Sequence, residues 1–223
     1  LLLNSSELGA VISENMAWRY IKMTCDTSNT DLRNSFNDFV QNIEPHMAPI
    51  TNQLNIKINN CNYKNELNTS AYNIYFKGIK NSIDLFREEN IELNTKLQEL
   101  EQKFGEISGA QTIEHDEKTL TMQQAGVFLK NLDRNIRESI YNKLQIRRAL
   151  DEEALNNLYS ELIQLRDKVA LNCGFKNFRD YKHQALGRFD YTVNDCLNFH
   201  NSVQQHAVDL LNDLHKNRKE KLK

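Results

Sequence analysis

A chain of 223 residues is long enough to bury one large core or two small ones, and its formal net charge of -2 provides no basic excess for nucleic acid or an anionic membrane surface. No apolar run approaches the roughly 18 residues that span a bilayer, so no membrane partner is expected. Two prolines and seven glycines leave few breakers, which favours long helices over a sandwich or barrel and predicts an all-α fold.

The opening LLLNSSELGAVI has an apolar start but no basic segment and no initiator Met, which argues against a signal peptide and for a trimmed or truncated chain. A helix is predicted over about Ser6–Thr24, with Leu8, Val11, Ile12, Met16, Trp18, Tyr20 and Ile21 forming a broad apolar surface. Asp26–Asp31 is a loop rich in capping residues. It leads into a second helix carrying Leu32, Phe36, Phe39, Val40 and Ile43, interrupted near Pro45 or Pro49 and resuming through Leu54 and Ile58. The cluster Asn59–Asn62 suits a turn. Helical patterns follow over Tyr72–Phe86, with Ile79, Ile83 and Phe86 in register, and over Ile91–Phe104, with Leu93, Leu97, Leu100 and Phe104 as the buried stripe.

Thr112–His115 and Lys118–Thr121 flank Asp116 and Glu117, and the alternation around Ile113 and Leu120 predicts one small β-hairpin packed on the helical body. Thr121, followed three residues later by Gln124, matches a capping box. A long helix over Thr121–Leu150 is expected from it, burying Val127, Phe128, Leu132 and Ile136 and exposing Lys130 and Asn131. Ile140, Leu144 and Leu150 continue that periodicity, while Asp133, Arg134, Arg137, Glu138, Arg147 and Arg148 mark a charged face. Asp151, Glu152 and Glu153 sit where a helix dipole favours carboxylates, ahead of a helix over Glu152–Leu171 that Gly174 caps in the left-handed region. A shorter helix at about Asn177–Leu186 precedes a break at Gly187 and Arg188. The final helix runs from Thr192, an N-cap with Asp195 at the third position, through Val203, Leu210 and Leu214 towards the terminus.

Cys25, Cys61, Cys173 and Cys196 form no CxxC pair, so buried free thiols in a reducing compartment are expected, with the cytoplasm as its location. His46, His115, His183, His200, His206 and His215 include no two imidazoles one helical turn apart. His200 and His206 diverge around the helix axis, and His206 and His215 share a face but lie too far apart for one ion. The isolated glycines of Ser108-Gly109-Ala110 and Leu186-Gly187-Arg188 make neither a phosphate loop nor a dinucleotide fingerprint, and there is no nucleophile elbow. The residues therefore identify no catalytic and no metal-binding site in this chain.

Several strings nevertheless follow one another in an informative order: Ala17-Trp18-Arg19-Tyr20-Ile21, Ser108-Gly109-Ala110 with its following hairpin, Asp133-Arg134 with Arg137-Glu138, Arg147-Arg148, Asn172-Cys173-Gly174-Phe175 with Arg179-Asp180-Tyr181, and Leu186-Gly187-Arg188-Phe189-Asp190-Tyr191. That order resembles the amino-terminal half of oligoendopeptidase F-like zinc metallopeptidases, relatives of thimet oligopeptidase. The resemblance implies the long-helix lobe of a two-lobed peptidase enclosing a channel. It also implies zinc held by the two histidines of an HExxH motif and a later Glu, with the motif Glu activating a zinc-bound water. Those residues lie beyond the matched region, and this chain contains no HExxH.

The expectation is thus one helical, channel-forming region over residues 1–223, without the catalytic zinc-binding half and inactive alone. Its polar end Lys216–Lys223 reads as a helix cut before that half. The partners implied are short peptide substrates and the catalytic half of the same protein. The alternative is a stand-alone, non-catalytic helical interaction module. Substrate-binding residues stay unassigned: Arg188 and Tyr191 either line the channel, where a guanidinium fork and a hydroxyl hold peptide, or serve packing and local ion pairing.

Overall fold

The computed structural model describes residues 1–67 and 69–222. The described residues form α1 (Leu2–Cys25), α2 (Thr30–Asp38), α3 (Glu44–Asn59), α4 (Thr69–Leu85), α5 (Glu89–Gly109), β1 (Thr112–His115), β2 (Lys118–Thr121), α6 (Met122–Val127), α7 (Arg134–Ala149), α8 (Glu152–Asn172), α9 (Phe178–Ala185), α10 (Val193–His206) and α11 (Val208–Lys221). The all-α class and the single small hairpin are both present.

The first helical unit depends on a cap and on a proline. Asn29 Oδ1 accepts the Asp31 and Leu32 N–H groups at 3.0 and 3.2 Å and starts α2. Between α2 and α3 the backbone widens into a π-turn, Phe39–Ile43, in which the Glu44 N–H reaches back to the Phe39 carbonyl. Pro45 explains this. An α-helical Pro45 would press its ring against the Gln41 carbonyl, and the wide turn removes that clash. Pro45 then occupies the first turn of α3, where a missing N–H has no consequence. The expected interruption therefore falls at Phe39–Ile43, and α3 runs straight through Pro49. Arg19 ties α1 to this unit by donating to Ser35 O at 2.6 Å and Asp38 Oδ2 at 3.3 Å.

Three apolar clusters hold the molecule together. Met23, Phe36 and Val40 join α1 to α2 and the π-turn. Leu97 and Leu100 of α5 meet Leu158, Leu162 and Val169 of α8. Ile113 of the hairpin packs with Ala125, Ile140 and Leu144. Phe104, expected in the α5 stripe, is 53 % exposed, since α8 covers only the Leu93, Leu97 and Leu100 side of that helix.

The hairpin has the expected strands, with Ile113 opposite Leu120 and His115 opposite Lys118. Its two-residue turn places Asp116 at φ 50° and Glu117 at φ 59°, the left-handed pair of a type I′ turn. A glutamate is poorly suited to that region, where a Cβ costs roughly 1–2 kcal/mol. Glu117→Gly should therefore raise the denaturant midpoint by about 1 kcal/mol equivalent at unchanged slope, and a lowered midpoint would refute this account of the turn.

The long helix expected over Thr121–Leu150 is two helices. The capping box forms as expected, with Thr121 Oγ1 accepting the Gln124 N–H and Gln124 Oε1 accepting the Thr121 N–H. The chain then tightens through Phe128–Lys130 and breaks at Asn131–Asp133. Short polar side chains cause the break. Asn131 Oδ1 accepts the Asp133 N–H at 2.9 Å and Asp133 Oδ1 accepts the Asn135 N–H at 2.8 Å, which replaces helical bonding and starts α7 afresh. Arg137 secures the loop by donating to the carbonyls of Asn131 and Leu132 at 2.6 and 2.9 Å. Leu132 falls in the break and is 98 % exposed, and Val127, at the end of α6, is 67 % exposed, both against the expected facing. Leu150 is exposed too. Phe128 and Ile136 are half-buried on the hairpin cluster, while Lys130 and Asn131 are exposed as expected.

Helix α8 ends as its sequence predicts. Gly174 has φ 84°, its N–H bonds Leu171 O and the Phe175 N–H bonds Ala170 O, a Schellman closure. Asn177 caps α9, and Thr192 with Asp195 forms a second capping box at α10. The predicted terminal helix is divided at Ala207 into α10 and α11, and nothing in the local sequence accounts for that step.

Candidate functional site

A concavity of about 730 Å³ lies between α1, α3 and the junction of α4 with α5. Its walls are single helix faces. Ile12, Met16 and Tyr20 recur one turn apart on α1, as do Glu44, Ala48, Asn52 and Asn55 on α3 and Asn90, Asn94 and Gln98 on α5. The π-turn contributes Phe39 directly and sets the course of α3, so Pro45 shapes the cleft through the backbone.

Both charged groups in the lining are already engaged. Glu44 Oε2 accepts from Gln98 Nε2 at 2.6 Å, tying α3 to α5. Arg87 donates to the carbonyls of Asn172 at 3.1 Å, Asp84 at 3.1 Å and Phe86 at 2.6 Å. What faces the open volume is apolar surface interleaved with carboxamides and hydroxyls. Asn52 Oδ1 is buried without a hydrogen-bond partner among the described residues.

The cleft floor is fixed by buried Asn90. Its Nδ2 donates to Val169 O at 3.1 Å and Cys173 Sγ at 3.3 Å, and its Oδ1 accepts from Asn172 Nδ2 at 2.7 Å. Cys173 in turn donates to Leu85 O at 3.2 Å. Burial pushes the Cys173 thiol above its ordinary value, outweighing Arg87 and the Asn90 bond, which both favour the thiolate. Tyr181, which closes one end of the cleft against Phe175 and Phe178, is likewise raised, first by burial and then by Cys173. Cys173 is a structural thiol, not a nucleophile. Only this cysteine is buried; Cys196 is intermediate and Cys25 and Cys61 are exposed, so the expectation of buried thiols holds for one of the four. The two exposed cysteines lie at the ends of α1 and α3, where the chain leaves the helical cores.

The histidines are dispersed. His115 packs edge-on against Phe128 at 4.8 Å, His183 against Tyr191 at 5.5 Å, and His200, His206 and His215 are exposed on α10 and α11. Among the described residues no group of three or more His, Cys, Asp or Glu side chains is arranged to hold a metal ion, so the donor set does not fit zinc. Arg188 lies over the Tyr191 ring at 5.9 Å and makes no ion pair with Asp190 among the described residues; Gly187, at φ 65°, makes the reversal that brings them together. Asp151, at the α7–α8 junction, accepts from Gln111 Nε2 at 2.8 Å and Arg147 Nη1 at 2.7 Å. The cleft residues Asn52, Asn55 and Asn94 carry no sequence motif. Their only signal is turn-by-turn recurrence of carboxamides on α3 and α5, which becomes meaningful once those two faces are known to meet. Among the described residues no helix is long and apolar enough to cross a membrane.

A run of helices with one small two-stranded hairpin is a fold shared with solved peptidase structures. A candidate oligoendopeptidase F from Bacillus anthracis str. Ames superposes with a TM-score of 0.85 at 20% identity, over 91% of this chain and 37% of that one. A second candidate oligoendopeptidase F gives 0.84 at 21% identity, over 96% and 39%. PZ peptidase A, solved with an inhibitor, gives 0.86 at 21% identity, over 93% and 37%. In sequence, the model for the peptidase M3 N-terminal domain matches residues 1–86 and the model for peptidase family M3 matches residues 127–223. The chain belongs to peptidase family M3. It spans less than two fifths of the length of these solved structures. No curated protein matches it.

Proposed function

We propose that residues 1–223 are the amino-terminal, channel-forming part of a zinc metalloendopeptidase that hydrolyses peptide bonds in short peptides, with the catalytic zinc-binding residues on further polypeptide of the same protein. The observation that carries this is the ordered match of two models of one peptidase family to the two parts of a chain whose fold is shared with oligoendopeptidases. Within that enzyme this part restricts access by size and helps hold substrate, a role that the hydrogen bonds joining α3 to α5 and α5 to α8 support. The four free thiols support a cytoplasmic setting. Peptide substrates and the catalytic half are its partners.

The 223-residue polypeptide should show no chelator-sensitive hydrolysis of a quenched short peptide and no stoichiometric zinc, because its imidazoles are dispersed. Turnover with one bound zinc would overturn that expectation. The reading frame beyond Lys223 tests the parent enzyme: an HExxH motif downstream supports it, and an immediate stop codon supports a stand-alone helical interaction module instead.

A further inference from the structure

Resting on the reading that further polypeptide of the same protein follows this chain, we propose that α10 and α11 form a docking arm for the polypeptide beyond Lys223, which covers the arm with an amphipathic helix bearing carboxylates. Every residue from Leu197 to Leu222 is exposed, although two successive helices of 14 residues each run through this stretch. Isolated helices of about 12–15 residues are marginal in water and draw their stability from packing one face. Beyond Cys196 neither of these packs one. Among the described residues, the far end of the arm meets the body through Arg134 Nη1, which donates to Leu222 O at 3.3 Å.

The face left open is apolar. Phe199 and Val203 stand one turn apart on α10, and Leu210, Leu211 and Leu214 share one side of α11, with Phe199 66 % and Leu210 63 % exposed. Clustered apolar surface of this kind marks an interaction site. One and two turns beyond Leu214, the same side of α11 carries Arg218 and Lys221, which make no ion pair among the described residues. An apolar cover over these two would strand their charges, so the occupant brings carboxylates to that end. Two facts favour the same polypeptide as occupant over a second copy. The solved structures that share the fold are longer, since this chain spans 37–39% of their length. Chain continuing past Lys223 also leaves from the end of α11, which runs to Lys221, and so meets the face at an effective concentration on the order of millimolar.

The test is hydrogen exchange, read by mass spectrometry, on the 223-residue chain and on the polypeptide extended to its natural stop codon. Amides of α10 and α11 should exchange almost unprotected in the first and at least a hundredfold more slowly in the second, with α5 and α8 protected in both. Leu211→Glu with Leu214→Glu should restore fast exchange of the arm in the extended protein, where protected α5 and α8 report that it is folded, and should leave the denaturant midpoint of the 223-residue chain unchanged. Arg218→Glu with Lys221→Glu should speed exchange of the arm tenfold or more in the extended protein. Fast exchange of the arm in a folded extended protein, or protection unaltered by either pair of substitutions, would overturn the proposal. So would an arm already protected in the 223-residue chain, and protection that grows with its concentration would make a second copy the occupant. An unprotected arm in a protein with HExxH downstream removes the docking assignment alone. A protected arm followed by polypeptide without HExxH keeps the docking and removes the peptidase reading, and an immediate stop codon overturns both.

Discussion

Replacing Ile140 by Ala should destabilise the chain by about 2–5 kcal/mol, the usual cost of truncating a large aliphatic side chain in a packed interior. Ile140 is 0 % exposed and central to the cluster that joins the hairpin to α6 and α7, so neighbours on every side lose contact and none can easily collapse into the gap. Leu132→Ala should change stability by less than about 0.5 kcal/mol, the range of surface substitutions, although sequence periodicity puts both residues on one helical stripe. Leu132 is 98 % exposed in the loop that Arg137 holds. Denaturant midpoints at unchanged slope make the comparison. A large loss for Leu132→Ala would mean that α6 and α7 form one continuous helix after all, and a small one for Ile140→Ala would refute the packing of the hairpin cluster.

Asn90→Ala should have the second large effect. Its side chain joins the start of α5 to the end of α8 through three hydrogen bonds, and its removal strands the Asn172 amide and takes a donor from Val169 O in a buried setting. Each buried polar group left unpaired costs about 1–3 kcal/mol. The Cys173 thiol loses a donor as well. Asn90→Asp should be worse than a neutral replacement, since it introduces a charge and lacks the Nδ2 donor to Val169 O and Cys173 Sγ. Thiol labelling provides an independent readout: Cys173 should react with an alkylating reagent far faster in Asn90→Ala than in the parent, while exposed Cys25 and Cys61 should be unchanged. A parent-like melting midpoint together with protected Cys173 would refute this role for the network.

The strings that carry the family resemblance have identifiable structural duties. Gly174 closes α8 with a positive φ, Arg147 bonds Asp151 at the α7–α8 junction, and Asp133 caps α7 while Arg137 staples the loop before it. Arg19 fastens α1 to α2. Each acts at a helix end or junction, where backbone geometry allows few residue types.

Local chemistry alone determined much of this protein. The scarcity of proline and glycine made it helical, the capping residues Thr121, Asn177 and Thr192 set three helix starts, and alternation around Ile113 and Leu120 made the hairpin. These features depend on a residue and its neighbours within one turn or one strand pair. What only the tertiary structure decided depends on partners distant in sequence. Phe104 has the right helical phase for burial, but α8 does not extend over it. Leu132 has the right periodicity, but two Asx side chains break the helix there and leave it in the loop. The cleft exists because Pro45 turns α3 so that its carboxamides face those of α5, about 40 residues further along, and sequence spacing within either helix holds no information about that meeting.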